Sequence, residues 1–154
     1  MGAMVRLAQH ADADAWLAMR VALWPEGTAE SHGREIERFF AGELHMPLAV
    51  LVAVGDDGGL MGFAELSIRQ YAEDCVTDRV AYLEGWYVLP GMRRRGIGRA
   101  LVAGAENWAR AQGCTEFASD AVLENLDSAT AHTALGFKET VQIRCFRKDL
   151  GTTS

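Results

Sequence analysis

The sequence predicts an α+β fold, a mixed sheet with helices on both faces. Three observations carry that prediction. The chain has 154 residues, 49% of them hydrophobic, which is material for one domain with a real core. Apolar residues recur at strand spacing in some segments and at helical spacing in others, and the two kinds interleave. Glycine-rich turns separate them, and no repeat, low-complexity tract or linker interrupts the order.

Val5 to Ala8 reads as a first strand. Asp12 or Asp14 then caps a helix whose Trp16, Met19 and Leu23 recur at helical spacing. Pro25 disfavours helical geometry at Trp24, so this helix should stop there. Ser31 to Ala41 predicts a second helix with Ile36, Phe39 and Phe40 inward. Leu48 to Val54 is a continuous apolar run, hence a buried strand. Gly55-Asp56-Asp57-Gly58-Gly59 is a hairpin turn into a strand over Leu60 to Arg69.

Residues 70–79 are polar and irregular, and Val80 to Val88 resumes as strand. A helix over Ile97 to Ala111 follows, with Gly113 as its C-terminal stop. Phe117 to Asp120 is a short strand. Asn125 or Asp127 starts a further helix that Gly136 ends. Thr140 to Phe146 alternates Val141, Ile143 and Cys145 against Gln142, Arg144 and Phe146, as a half-buried strand does. The predicted order is β-α-α-β-β-β-α-β-α-β. Met1-Gly2-Ala3 ahead of Met4 reads as a cloning remnant, so the expected domain is a single one over residues 4–150.

The most informative stretch lies between the strand at 80–88 and the helix at 97–111. Arg93, Arg94, Arg95 and Arg99 surround Gly96 and Gly98 in a basic, glycine-spaced turn. A helix that begins there offers unpaired backbone N–H groups and a positive dipole end, which is a seat for phosphate. The spacing lacks the Gly-Lys-Ser/Thr ending of a P-loop and the third glycine of the dinucleotide fingerprint. A solvated basic turn is the plainer alternative.

With Arg93-x-x-Gly96-x-Gly98, and Val88 five positions before the arginine, the segment resembles the pyrophosphate loop of the GNAT superfamily of acetyltransferases. The order of elements is similar to that superfamily over nearly the whole chain. The resemblance implies a mostly antiparallel sheet with a splayed strand pair at an acetyl-CoA site. It implies that Arg93, Arg94, Arg95, Gly96, Ile97, Gly98 and Arg99 hold the pyrophosphate. Backbone groups of Trp86, Tyr87 and Val88 would pair with pantetheine, one amide polarising the thioester carbonyl. Asn125, ahead of Ala129, His132 and Leu135-Gly136-Phe137, is implied as a ligand of the pantetheine arm. Where that superfamily commonly places a tyrosine acid, this chain has His132, a weak candidate, and a coenzyme A thiolate leaves without one.

A narrower resemblance rests on Leu23-Trp24-Pro25, Ser67-Ile68-Arg69 with Tyr71, Leu83-Glu84-Gly85 with Tyr87-Val88-Leu89-Pro90, Ala118-Ser119-Asp120 and Leu135-Gly136-Phe137-x-Glu139-Thr140. Together, in order, these are similar to the small chromosomal aminoglycoside 6'-N-acetyltransferases. The resemblance implies Trp24, Tyr71, Glu84 and Asp120 as aminoglycoside-binding residues, with Asp120 and Glu84 as candidate bases. At Val141 the chain departs from that group, which often carries an acid there, and Glu139 stands in as a substitute. Carboxylates suit ammonium groups, and Trp24 and Tyr71 can stack on sugar rings or face cations. Glu84 has a structural alternative, an ion pair with an arginine such as Arg69.

Composition bounds the rest. The net charge of −6 disfavours a nucleic-acid binder. No apolar run reaches the ~18–20 residues of a membrane span, and no signal-peptide pattern is present. Cys75, Cys114 and Cys145 are odd in number and form no Cys-x-x-Cys, so reduced thiols, no metal and a cytoplasmic setting are expected. Cys114 has no base at motif spacing, which argues against a covalent acetyl-cysteine route. The resembling enzymes are commonly dimers, so a homodimer is expected. The rival readings are acetylation of a polyamine or a protein N-terminus, or a non-catalytic coenzyme A-binding module.

Overall fold

The computed structural model describes residues 3–152; Met1 and Gly2, read above as part of a leading remnant, lie outside them. The chain divides into two compact units after Asp120. The first unit holds strand β1 (Met4–Leu7), helix α1 (Ala13–Leu23), helix α2 (Ala29–Phe40) and strands β2 (Ala49–Val54), β3 (Leu60–Arg69) and β4 (Val80–Val88). Helix α3 (Ile97–Ala111) and strand β5 (Phe117–Ser119) complete it. The second unit holds helix α4 (Leu126–Ala134).

The five strands form one sheet in the order β1-β2-β3-β4-β5. The first four are antiparallel to their neighbours, and β5 joins β4 in parallel. The predicted α+β architecture with a mostly antiparallel sheet is therefore present. On one face Trp16 and Met19 of α1 and Ile36 of α2 pack on Val50, Val52, Val54 and Phe63. On the other face α3 lies against the sheet, with Gly104 over Val5 and Leu51.

Helix limits follow local chemistry. Trp24 ends α1 ahead of Pro25, as expected, its N–H bonding Arg20 O at 2.8 Å. Helix α2 starts two residues before Ser31 because the Thr28 hydroxyl accepts the Ser31 N–H at 3.0 Å. Asp12 precedes α1, but its carboxylate serves Arg6 at 2.7 and 3.1 Å and the Gln9 N–H at 2.7 Å. The Arg6 hydrogen bonds hold the Asp12 carboxyl below the usual carboxylate range.

Two irregularities in β4 shape everything near it. Glu65 pairs with Gly85 while Leu66 pairs with Leu83, so Glu84 is the extra residue of a bulge. Pairing of β4 with β5 covers Ala81 to Leu83 and ends at Ser119, while β4 runs on to Val88. The two strands part beyond Leu83.

One predicted element is absent. Residues 138–152 contain no strand, and Val141, Ile143 and Phe146 are 50%, 57% and 88% exposed. Alternation fits a pleated strand only where an edge accepts its backbone hydrogen bonds. Within the second unit, α4 is the sole regular element among the described residues.

At Gly62 a Cβ would lie 2.5 Å from the Tyr87 carbonyl oxygen, a backbone atom fixed by the ladder. Gly62→Ala should therefore cost about 1–3 kcal/mol in denaturant unfolding. Gly33→Ala in α2, where a Cβ meets nothing within 4 Å, should instead add up to about 1 kcal/mol.

Candidate functional site

Past Val88 the chain turns through Pro90–Met92 into the arginine loop. Arg94 has φ 65°, a left-handed conformation unusual for a side chain, and Gly96 has φ 80°. Gly96 is the N-terminal cap of α3, and the first helical bond runs from Ala100 N to Gly96 O at 3.0 Å. The amides of Ile97, Gly98 and Arg99 precede it and have no acceptor within the helix. Arg94, Arg95 and Arg99 are exposed around this end. Arg93 differs: its Nε donates to Val88 O at 2.9 Å and its guanidinium sits 5.5 Å from the Tyr87 ring centroid. It pins the loop to β4 rather than swinging as a mobile charge.

Between α1, α2 and the β3–β4 pair lies a cleft of about 280 Å³ lined by Arg20, Trp24, His32, Glu35, Glu65 and Glu84, with Met46 and Pro47. Trp24 rests against the sheet because β4 carries Gly85 there; a Cβ would meet its ring at 2.5 Å. The ring stacks on His32 at 6.3 Å and meets the Arg20 guanidinium at 5.0 Å. Below it Glu65, 1% exposed, accepts the Trp16 indole N–H at 3.0 Å. Arg20 bridges two carboxylates, reaching Glu65 Oε2 at 2.9 Å through Nε and Glu35 Oε2 at 2.8 Å through Nη2. Burial, stronger here than the pull of Arg20 and the Trp16 bond, pushes the Glu65 carboxyl up to about 7.

A second chain of contacts starts at the bulge. Arg69 grips Glu84 with two bonds, Nε to Oε2 at 2.9 Å and Nη2 to Oε1 at 2.7 Å. The Arg69 guanidinium lies 3.5 Å over the Tyr82 ring. The Tyr82 hydroxyl in turn donates to Asp120 Oδ2 at 2.5 Å. Burial, aided by Asp120, raises the Tyr82 phenol, and the Glu84 bond raises Arg69, so both hold their protons firmly. Glu84 and Asp120 thus end one continuous network, each fixed by a donor.

The sequence and the fold that carry these features have matches among known proteins. The model of the acetyltransferase (GNAT) family matches residues 14–137. The chain belongs to the GNAT family of acetyltransferases. It is 56% identical over 147 residues to the aminoglycoside N(6')-acetyltransferase type 1 of Klebsiella aerogenes, covering 96% of this chain and 97% of that one. Identity to the protein of the same name from Serratia marcescens is 42% over 149 residues, covering 96% and 100%. Among solved structures, that of AAC(6')-Iy in complex with the bisubstrate analog CoA-S-monomethyl-acetylneamine superimposes with a TM-score of 0.88 at 35% identity, covering 97% and 99%.

Against this GNAT frame the expected residues distribute unevenly. Trp24 and Glu84 share the cleft, and Asp120 is tied to Glu84 through Arg69 and Tyr82. The ion pair of Glu84 with Arg69, the structural alternative in the sequence, is formed. Tyr71 is 66% exposed, is not among the cleft-lining residues and donates to Glu73 at 3.1 Å. In the second unit, Asn125 caps α4 by accepting the Ser128 N–H at 3.1 Å. His132 Nδ1 is 2.7 Å from Ser128 O, with its ring 5.1 Å from Phe137. Glu139 accepts from Gln142 at 3.4 Å.

Sequence reasoning missed Arg20, Glu35 and Glu65. Two of them carried a signal: Arg20 lies four residues after Trp16 on the buried face of α1, and Glu65 interrupts an apolar strand. A buried charge at such positions demands a partner.

Glu65 also yields a pH prediction. Between about pH 4.5 and 7 the folded chain keeps a proton that the unfolded chain has released. The native state binds more protons there, so this carboxyl makes stability fall as pH rises through that window. Glu65→Gln should remove that slope. Denaturant titrations at both ends of the window should show the parent losing more stability than the variant.

Proposed function

We propose that this chain is an acetyl-CoA-dependent aminoglycoside 6'-N-acetyltransferase that confers antibiotic resistance, working by direct transfer in a ternary complex. The observation that carries the reading is 56% identity, over nearly the full length of both chains, to an enzyme of that name. The bisubstrate complex of AAC(6')-Iy, which joins coenzyme A to an acetylneamine, supports the choice of acetyl donor and acceptor. A carboxylate-lined cleft beside a parted strand pair is the geometry such a transfer requires. The family match spans the division after Asp120, which supports one functional domain over residues 4–150.

The coenzyme roles follow from the loop. The amides of Ile97, Gly98 and Arg99 at the start of α3 take the pyrophosphate, with Gly96 shaping the turn and Arg94, Arg95 and Arg99 adding charge. The strained Arg94 is consistent with a backbone held for a ligand. Arg93 acts by fixing the loop to Val88. Backbone groups of Trp86, Tyr87 and Val88, beyond the last β5 pair, meet the pantetheine and polarise the thioester carbonyl. Asn125 is assigned to the pantetheine arm on the family resemblance.

The acceptor lies along Trp24, Glu84 and Asp120, and Tyr71 and Glu139 are assigned to it on the family resemblance. Its 6'-amine must lose a proton before it attacks the thioester carbon, and the coenzyme A thiolate then leaves. Of the two candidate bases Asp120 is better placed, because Tyr82 engages one of its oxygens while Arg69 engages both of Glu84's. Glu84 orients and attracts the cationic acceptor. The exposed Val141 and Ile143, alternating along one side of the segment, support a homodimer in which residues 140–146 find a strand partner. A cytoplasmic setting suits both the thiols and the acetyl donor.

Incubation with acetyl-CoA and an aminoglycoside panel tests the reading. Kanamycin and tobramycin should be acetylated at the 6'-nitrogen, as mass and NMR analysis of the product would show, and a 6'-hydroxyl analogue should not react there. Acetylation mainly at the 3 or 2' nitrogen would refute the assigned regiochemistry. Asp120→Asn keeps volume but removes the base. General-base assistance typically supplies 10²–10⁴-fold, so turnover should fall at least about ten-fold after partial rescue by Glu84 or solvent. The Michaelis constant for acetyl-CoA should hardly move.

A further inference from the structure

We propose that Glu35 is a specificity-determining carboxylate of the acceptor cleft, binding a second ammonium of the substrate, and that Arg20 is its positioning residue. The inference rests on the proposed function and deepens it. The bonding in the cleft is the first observation. Glu84 is held by Arg69 on both its oxygens. Arg20, which meets the buried Glu65 from below, also holds Glu35 at 2.8 Å and does so through Oε2.

Exposure decides which of the two Arg20 partners can meet a ligand. The Arg20 side chain is 6% exposed and that of Glu65 2%, whereas that of Glu35 is 46% exposed at the cleft wall. A pair with so open a partner adds little to stability, so its consequence is positional. Arg20 contacts Glu35 Oε2, and an ionised carboxylate has lone pairs for further donors on both oxygens.

His32, one turn before Glu35 on α2, supplies an independent observation. It lines the same cleft and is 7% exposed; its Nε2 lies 3.1 Å from the Trp24 carbonyl. With the proton on Nε2, Nδ1 is an acceptor, and it has no hydrogen-bond partner. An anion and an acceptor lacking a donor on successive turns of one helix fit a ligand rich in ammonium and hydroxyl groups. Trp24, stacked on His32 and near the Arg20 guanidinium that holds Glu35, supplies the stacking surface.

Steady-state kinetics with neamine, which bears several amines, test this in the full chain. Glu35→Gln should raise the neamine Michaelis constant about ten-fold or more, the loss of one charge-assisted bond. It should leave kcat and the acetyl-CoA constant near the parent's, and flatten the rise of the neamine constant with salt. Arg20→Lys should raise the same constant, and its effect should shrink in the Glu35→Gln background. A parent-like neamine constant and salt dependence in Glu35→Gln overturns the inference. So does a joint fall of kcat and both constants' quality, which marks general damage. Failure of the unmodified protein to acetylate neamine overturns the functional reading beneath it. Should Arg20→Lys not fold, Glu35→Gln, altering a half-exposed side chain, decides alone.

Discussion

Because Glu65 faces Gly85 and Leu66 faces Leu83, Glu84 stands outside the β3–β4 ladder, and the geometry of the cleft follows from that single extra residue. The bulge brings Glu84 beside Glu65 in one cleft and within reach of Arg69, two positions past Ser67 on the neighbouring strand. It leaves Gly85 opposite Glu65, where the absence of a side chain admits the Trp24 ring. Added strand twist at a bulge also fits the parting of β4 from β5 just beyond Leu83. A regular ladder would have sent Glu84 toward the opposite face, away from the cleft.

Each cleft carboxyl group is held by an arginine that also lies against an aromatic ring: Arg20, near Trp24, holds Glu65 and Glu35, and Arg69, over Tyr82, holds Glu84. Burying the Arg20 guanidinium is tolerable only with close partners, and it has them. The side chains that should touch substrate are therefore held by partners that do not. Such support allows a site to stay in one geometry before a ligand arrives.

Much of the fold was legible because its periodic segments are long. The strands at 60–69 and 80–88 and the helix at 97–111 have the limits that alternation and amphipathy predict. The strand expected at 140–146 shows where the logic ends. Its alternation is real, but a strand is defined by a partner, and periodicity does not name one. The bulge was unreadable for the same reason: register belongs to two strands at once. The family resemblance pointed to Trp24, Glu84 and Asp120, yet it said nothing of Tyr82, whose hydroxyl donates to Asp120.

That hydroxyl also separates two otherwise equivalent carboxylates. Glu84 spends both oxygens on a guanidinium that cannot give up its proton, so a proton arriving there would have to displace an ion pair. Asp120 accepts from a neutral phenol through Oδ2, and burial keeps that phenol protonated. A neutral donor steadies the carboxylate without cancelling its charge. Asp120 thus has one oxygen engaged, by a neutral donor at the end of β5, whereas Glu84 has both engaged by a cation.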